Sequence, residues 1–189
     1  MKRFLFFLVI LLAGLDGSVA QVRVLVAYYS ETGNTEILAA AVAEGADQVA
    51  GVKAVLKPVG QVTESDLLDA GAIIVGSPVH NANVAPAVQA FIASWPFDGA
   101  PLQGKVGAAF VTAGGISAGE ELTQMNILQS MLIFGMVVVG GADWTAPFGA
   151  SAIVGEPPFL PGGGVSEHFL DKGRQLGRRV AQLAVRLND

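Results

Sequence analysis

Short apolar runs alternate with longer amphipathic segments along the chain from residue 22 onward. Five runs are almost continuously apolar, as in strands covered on both faces of a sheet; they span residues 22–28, 52–56, 72–75, 106–111 and 136–139. Apolar residues three and four apart predict helices over residues 35–49, 84–94, 120–134 and 167–187, with a shorter helical turn at 66–69. This alternation predicts an α/β fold, a three-layer doubly wound sandwich with a five-stranded parallel sheet. Right-handed crossovers favour the strand order 2-1-3-4-5.

The first 20 residues follow a different pattern. Lys2 and Arg3 precede an apolar run over residues 4–15, and Ser18 and Ala20 are small residues just before the next segment. This layout is typical of a secretory signal peptide, and the apolar run is short for a permanent membrane span. We therefore expect a signal peptide over residues 1–20, one domain over 21–189, and an exported protein, periplasmic or extracellular, without stable membrane insertion after cleavage. A buried N-terminal helix and an uncleaved anchor are the alternatives.

Composition and charge exclude several classes of function. Of the 11 basic and 16 acidic residues, Lys2, Arg3 and Asp16 leave with the signal peptide, so 9 basic and 15 acidic residues remain. Such an acidic surface does not attract nucleic acid. The chain has no cysteine, which excludes disulfides and every mechanism that needs a thiolate. Its His, Asp and Glu residues show no metal-ligand spacing, so no metal site is expected.

Uncharged residues with hydrogen-bonding side chains follow the first predicted strand. Ser30, Thr32 and Thr35 offer hydroxyls, Asn34 offers an amide, and Gly33 lets the backbone come close to a ligand. Backbone N–H groups at the start of the next helix would add donors and a favourable dipole for an anion. The loop therefore predicts a phosphate site made of neutral donors, although an ordinary capped helix start is the alternative.

Missing residues exclude three other phosphate-binding classes. A Walker loop needs Gly-Lys-Ser/Thr, and this loop has no lysine. A dinucleotide fingerprint needs three spaced glycines, and here there is one. A phospho-accepting receiver domain needs acids at the ends of the first and third strands, where this chain has Tyr28-Tyr29 and Gly76-Ser77. A phosphate monoester is the ligand that remains.

Two further loops should emerge at the same edge of the sheet. Residues 76–84 and 112–120 follow the third and fourth predicted strands and are rich in Gly, Asn and small residues. Ligands of open parallel sheets bind beyond the carboxyl ends of the strands. Peptide groups in these loops could hold a flat heteroaromatic ring edged with carbonyl and N–H groups.

The sequence resembles a known family at these loops and beyond them. The first loop is similar to the flavodoxin phosphate loop, Thr/Ser-x-Thr-Gly-x-Thr, and the chain from residue 22 to 188 resembles the NAD(P)H:quinone oxidoreductase family of WrbA type, a branch of the flavodoxin-like fold. The stretches that carry the likeness are VLVAYYSETGNTE, AVAEGA, AIIVGSPVHNAN, GEELT, FGMVVVG and RRVAQLAVRLN. The resemblance implies a flavodoxin-like FMN-binding domain over residues 21–189, with NAD(P)H as a possible co-substrate.

The resemblance also implies which residues hold the flavin. The phosphate is expected on Ser30, Glu31, Thr32, Gly33, Asn34 and Thr35. The isoalloxazine ring is expected between Pro78, Val79, His80 and Asn81 on one side and Thr112, Ala113, Gly114 and Gly115 on the other. His80 is in addition the candidate proton donor to a quinone oxygen.

The expected function is that of an exported FMN-dependent oxidoreductase that reduces quinones or related acceptors with NAD(P)H. Neither ring-binding loop contains an aromatic residue, so a second planar molecule could stack on the ring and accept hydride. The alternatives are a flavodoxin-like one-electron carrier without its own turnover and a flavin-free binding module. The expected partners are a small quinone-like acceptor or a redox protein, and self-association into a homo-oligomer is possible; no nucleic-acid partner is expected.

Overall fold

The computed structural model describes residues 21–159 and 164–188. The expected signal peptide, residues 1–20, lies outside the described residues. The strands are β1 (Val22–Tyr28), β2 (Val52–Pro58), β3 (Ala70–His80), β4 (Asn83–Val84), β5 (Val106–Ala113), β6 (Val137–Val138) and β7 (Ala150–Ile153). The helices are α1 (Asn34–Asp47), α2 (Glu64–Asp69), α3 (Pro86–Ala93), α4 (Glu120–Ile133) and α5 (Glu167–Asn188), with a 3₁₀ turn at Val59–Gln61. Within the described ranges, no helix has both the length and the apolarity to cross a membrane.

The sheet has the predicted doubly wound order. Its strands run β2-β1-β3-β5, with β6 and β7 one after the other along the outer edge of β5. All these pairs are parallel. β6 pairs with the first two residues of β5 and β7 with its last four. The edge of β5 is therefore occupied by β6, which lies within the predicted strand 136–139, and by the additional strand β7. The prediction of an α/β doubly wound sandwich in order 2-1-3-4-5 is therefore confirmed.

Two strands differ from the prediction of five. β3 continues to His80, where Asn81 and Ala82 adopt positive φ values of 52° and 60° and return the chain as the antiparallel strand β4. Two successive residues with positive φ are typical of a tight type I′ hairpin turn. β7 was not predicted, because its four residues are too short a run for a hydrophobic pattern; pairing with β5 is what makes it a strand.

Helices cover the sheet on both faces. α1 and α5 pack on one face against side chains such as Val24, Ile74 and Phe110. α3 and α4 pack on the other face against side chains such as Leu25 and Ile73. Nearly continuous burial of β1, β3 and β5 explains why these strands read as unbroken apolar runs. Their carboxyl ends meet at one edge of the sheet, which is where the polar loops lie.

Candidate functional site

The three loops predicted to form the site lie next to one another at the carboxyl edge of the sheet. The N–H of Tyr29, at the end of β1, donates to the carbonyl oxygen of Gly76 at 3.1 Å. At the end of β3, Pro78 lies opposite Thr112 of β5 in parallel register. The first loop, the β3–β4 hairpin and the loop after β5 therefore lie next to one another at the carboxyl edge of the sheet.

The first loop places an open helix start at this edge. Gly33 precedes α1 with φ of 87°, and among the described residues no side chain caps the first turn. The Oγ of Ser30 accepts the Gly33 N–H at 3.1 Å, and Asn34 Nδ2 donates to Thr32 Oγ1 at 3.2 Å. No described atom lies within 4 Å of the position that a Cβ on Gly33 would take. The loop is folded by its own hydrogen bonds and leaves room for a ligand at the positive end of the helix dipole.

Thr35 is the residue of this loop that is buried. Its hydroxyl forms a hydrogen bond of 2.7 Å with the hydroxyl of Thr112, and both residues are almost completely buried. The bond joins the first loop to the third. The first and third loops thus meet at one edge of the sheet as predicted, while the hydroxyls of these two residues are used for contact between the loops.

Two tyrosines at or just after the end of β1 hydrogen-bond to acids that follow it in the chain, one in the first loop and one in α1. Tyr28 Oη donates to Glu36 Oε1 at 2.8 Å, and Tyr29 Oη donates to Glu31 Oε1 at 3.3 Å. Burial and the neighbouring Glu36 raise the pKa of Tyr28, and desolvation together with Glu31 raises the pKa of Tyr29. Both phenols therefore stay protonated at neutral pH. A carboxylate repels a phosphate, so only the backbone N–H of Glu31 suits the role that the resemblance implies.

The second predicted loop is a fixed hairpin. Buried Ser77 accepts the Ala85 N–H through its Oγ at 3.0 Å and donates to the Pro78 carbonyl oxygen at 2.7 Å, which holds the base of the hairpin. At the tip, a Cβ on Gly119 would come within 2.7 Å of the Cα of Ala82, so the hairpin touches the third loop where only glycine fits. The structure places His80 on this hairpin, exposed to solvent.

The third loop is held by two carboxylates. The Ile116 N–H donates to Glu156 Oε2 at 2.6 Å, and the Ser117 N–H donates to Glu120 Oε1 at 3.1 Å. The other carboxylate oxygen of Glu120 is buried and has no partner in the described part of the chain. The Val154 N–H donates to the Ala113 carbonyl oxygen at 2.9 Å and brings the segment with Glu156 alongside. Gly114 and Gly115, the predicted ring contacts, are thereby fixed.

Sequence reasoning missed Glu156. It is a lone acid in the stretch GEPP, and its only sequence signal is a charge inside an otherwise apolar and Gly-rich segment. Its carboxylate reaches the third loop because β7 runs beside β5, and β7 was not predicted. In the part of the chain that the structure describes, no three His, Asp or Glu residues are grouped closely enough to hold a metal ion.

The chemistry of these donors fits the phosphate end of a flavin mononucleotide. Hydroxyls, an amide and the free N–H groups of a helix start bind a phosphate monoester without a metal or a cationic side chain. The neighbouring loops 78–81 and 112–115 present small residues and peptide groups that could line a flat ring. The arrangement defines a flavodoxin-like α/β protein with its ligand edge at the ends of β1, β3 and β5.

Comparison with known proteins supports this class. Residues 57–151 match the NADPH-dependent FMN reductase family. A protein named flavodoxin from Aquifex aeolicus is 36% identical over 166 residues, which cover 85% of each chain. A protein named NAD(P)H dehydrogenase (quinone) from Caulobacter vibrioides strain NA1000 is 32% identical over 208 residues, covering 88% of this chain and 98% of that protein. The structure of a flavodoxin, WrbA-like protein from Agrobacterium tumefaciens superimposes with a TM-score of 0.72 at 24% identity, covering 88% of this chain and 99% of that one.

The chain belongs to the WrbA-type NAD(P)H:quinone oxidoreductase family of flavodoxin-like proteins. The family that the sequence resembled is thus confirmed. FMN as cofactor and NAD(P)H as co-substrate, together with the expectation of an FMN-dependent oxidoreductase, are confirmed at the level of the family. The roles of individual residues stay predictions.

Proposed function

We propose that the protein is an exported FMN-dependent oxidoreductase that uses NAD(P)H to reduce a quinone-like acceptor. The observation that carries the proposal is the uncapped start of α1 behind Gly33, surrounded by neutral donors and adjacent to two rigid loops. The relative from Caulobacter vibrioides, named NAD(P)H dehydrogenase (quinone), supports the choice of donor and acceptor.

The loop residues divide between the two ends of the cofactor. Ser30, Thr32 and Asn34, with the N–H groups of residues 31–36, would hold the phosphate. Pro78 to Asn81 would line one side of the ring and Thr112 to Gly115 the other. When bound, FMN supplies the electron chemistry of the reaction, and the chain supplies its position and its surroundings.

Two side chains have specific tasks in this proposal. Glu156 keeps the third loop in place by accepting the Ile116 N–H, so residues 112–115 do not have to be ordered when the ring arrives. His80 stands exposed on the hairpin, where an imidazole can deliver a proton to an acceptor oxygen. A glutamine at position 80 would keep the size and polarity of the residue and lose the proton.

The alternative is a one-electron carrier that exchanges electrons with a protein partner and has no turnover of its own. The observation in its favour is the relative from Aquifex aeolicus, which is named flavodoxin and is 36% identical. A carrier predicts no oxidation of nicotinamide by the FMN-loaded protein. A flavin-free module predicts that the protein stays colourless after incubation with FMN.

One experiment separates these functions. The protein is incubated with FMN, freed of excess cofactor and mixed with NADPH, with and without 1,4-benzoquinone. In the absence of oxygen, an oxidoreductase oxidises more than one NADPH per bound FMN only when the quinone is also present. His80→Gln should slow this turnover by a larger factor than it weakens FMN binding. Stoichiometric FMN binding with no NADPH oxidation would favour the carrier.

Export is a separate part of the proposal. Its support is the arrangement of Lys2, Arg3, the apolar run over residues 4–15 and the small residues Ser18 and Ala20. The full-length chain produced in a bacterial host should reach the periplasm with Gln21 as its first residue. Recovery of the uncut chain in the cytoplasm would contradict export.

A further inference from the structure

A cavity of about 720 Å³ adjoins the first loop, and Ser30 of the proposed phosphate site forms part of its lining. The rest of its lining comes from the ends of β1 and β2, the 3₁₀ turn that follows β2, Glu36 of α1, and α3. None of residues 78–81 or 112–115 takes part. Cavities of this size are typical of sites for small organic molecules, and sites in such folds lie at the carboxyl ends of the strands. The cavity is therefore a second candidate ligand site.

The wall of the cavity is apolar. Val59 and Phe91 are buried residues that face it from the 3₁₀ turn and from α3, and Val62, Ala87 and Ala90 extend the same surface. Nothing described lies within 4 Å of the position of a Cβ on Gly60, which also lines the cavity. This wall suits the faces of one or two aromatic rings.

Other lining residues are polar and supply hydrogen-bond acceptors. Tyr28 and Tyr29 line it, and both donate their hydroxyl protons to carboxylates, Tyr28 to Glu36 and Tyr29 to Glu31. Glu36 itself also lines the cavity. The lining contains no lysine, arginine or histidine. An anionic ligand would thus meet a carboxylate without a compensating cation, whereas a ligand with an O–H group would find an acceptor.

We infer that this cavity binds an uncharged aromatic molecule of one or two rings that carries a hydroxyl group, of the phenol or hydroquinone class. The hydroxyl donates to Glu36, and the rings pack between the tyrosines and the apolar wall of Phe91 and Val59. The site prefers a hydroquinone to the corresponding quinone, because the quinone has lost the O–H donors. This inference goes beyond the proposed function and does not need FMN to be bound.

A matched pair of redox-inert probes tests the inference on the full-length chain without flavin. 2-Naphthol carries the hydroxyl, and 2-methoxynaphthalene has the same rings without a donor. In NMR titrations, 2-naphthol should shift the methyl signals of Val59, Val62, Ala87 and Ala90 to saturation. 2-Methoxynaphthalene should bind at least about tenfold more weakly, since it has no O–H group to donate to Glu36. Equal binding of both probes, or saturation shifts confined to other methyl groups, would overturn the inference.

Two variants locate the ligand. Ala90→Leu fills space next to the apolar wall, and Ala40→Leu makes the same change on the exposed side of α1, outside the lining. Ala90→Leu should weaken 2-naphthol at least about tenfold and Ala40→Leu should not. Glu36→Gln should reduce the preference for 2-naphthol over the methoxy probe. All three positions are exposed on helices, so circular dichroism should show unchanged folding. An unaltered preference of Glu36→Gln for 2-naphthol over the methoxy probe would show that the Glu36 carboxylate does not accept the hydroxyl of the ligand, and would contradict the inference.

FMN titration of the same samples keeps the two proposals apart. Binding of 2-naphthol in the cavity without any FMN binding would support the second site and contradict the flavin site. FMN binding without any binding of 2-naphthol would support the flavin site and contradict the second site.

Discussion

The hydroxyls of Thr35 and Thr112 lie 2.7 Å apart in a buried hydrogen bond that joins the start of α1 to the end of β5. Thr35 follows β1 and Thr112 lies in β5, and these two strands are not neighbours because β3 lies between them in the sheet. Because β3 extends past Pro78, the partner of Thr112, to His80, the bond crosses β3 on the face of the sheet that α1 covers, and it fixes the first loop relative to the third. We regard it as the contact that holds the phosphate end and the ring end of the proposed site in one geometry.

Removal of one of the two hydroxyls should show how much this hydrogen bond contributes to the free energy of unfolding. Thr112→Val keeps the shape of the side chain and leaves the Thr35 hydroxyl buried without its partner, which should lower the free energy of unfolding by about 1–3 kcal/mol. Thr35→Val should cost a similar amount, and the double variant should cost clearly less than the sum of the two. Urea denaturation measures all three. Strictly additive losses would mean that the two hydroxyls do not interact.

Gly33 and Gly51 form a matched pair that separates backbone strain from ligand binding. Both have positive φ, 87° and 77°, and open space at the position that a Cβ would take, but Gly51 lies just before β2, at the opposite edge of the sheet. Alanine at either position should destabilise the fold by about 1 kcal/mol. Only Gly33→Ala should also weaken FMN, by at least about tenfold, because its methyl group enters the proposed phosphate site. Equal FMN affinity in the two variants would place the phosphate elsewhere.

Close contact between α1 and α5 depends on glycine. A Cβ on Gly177 of α5 would overlap the carbonyl oxygen of Val42 in α1. Alanine is favoured over glycine in a helix by about 1 kcal/mol, but an overlap with backbone cannot be relieved by rotating a side chain. Gly177→Ala should therefore lower the free energy of unfolding by about 1–3 kcal/mol and reduce Tm by several degrees. Gly60→Ala, where a Cβ meets nothing, is the control and should leave Tm unchanged.

Because of Asp66, the free energy of unfolding should depend on pH in the acidic range. Its nearly buried carboxylate accepts hydrogen bonds from Lys57 and from the N–H of Thr63, and these contacts lower its pKa to about 2. Because the folded pKa lies below the unfolded one, near 4, the stabilisation is complete above pH 4 and is lost as the pH falls toward 2. Since Lys57 is partly exposed, we expect the charge of Asp66 to contribute about 1 kcal/mol to the free energy of unfolding.

The test is Asp66→Asn, measured by urea denaturation between pH 2 and pH 7. The variant should be less stable than the native chain at pH 7, and the difference should shrink steadily between pH 4 and pH 2. A deficit that is the same at both ends of this range would show that the charge of Asp66 contributes nothing.

Hydrophobic patterning was sufficient for the parts of the fold that are buried on both faces. β1 has the predicted bounds of residues 22–28, and the four long helices lie within a few residues of their predicted positions. The hydrophobic pattern did not predict the strands that form through hydrogen-bond pairing with a neighbour rather than through burial on both faces. The β3–β4 hairpin depends on the backbone of Asn81 and Ala82, and β7 depends on its neighbour β5.

The site could be predicted only in part for the same reason. The sequence of the first loop shows its donors, because they are consecutive in the chain. Contacts between distant residues have no such signal. The Thr35–Thr112 bond spans 77 positions and the Ile116–Glu156 bond spans 40, so both became visible only with the fold.

The neutral donors of the first loop are the groups that we expect to hold the phosphate of FMN. The most direct measurement compares the affinities of FMN and riboflavin, which lacks the phosphate, for the native chain and for Thr32→Glu by calorimetric titration. Gln182→Glu adds the same charge on an exposed position of α5 and serves as the control. We predict that FMN binds the native chain at least about a hundredfold more tightly than riboflavin, and that only Thr32→Glu abolishes this difference. An unchanged preference for FMN in Thr32→Glu would contradict this placement of the phosphate.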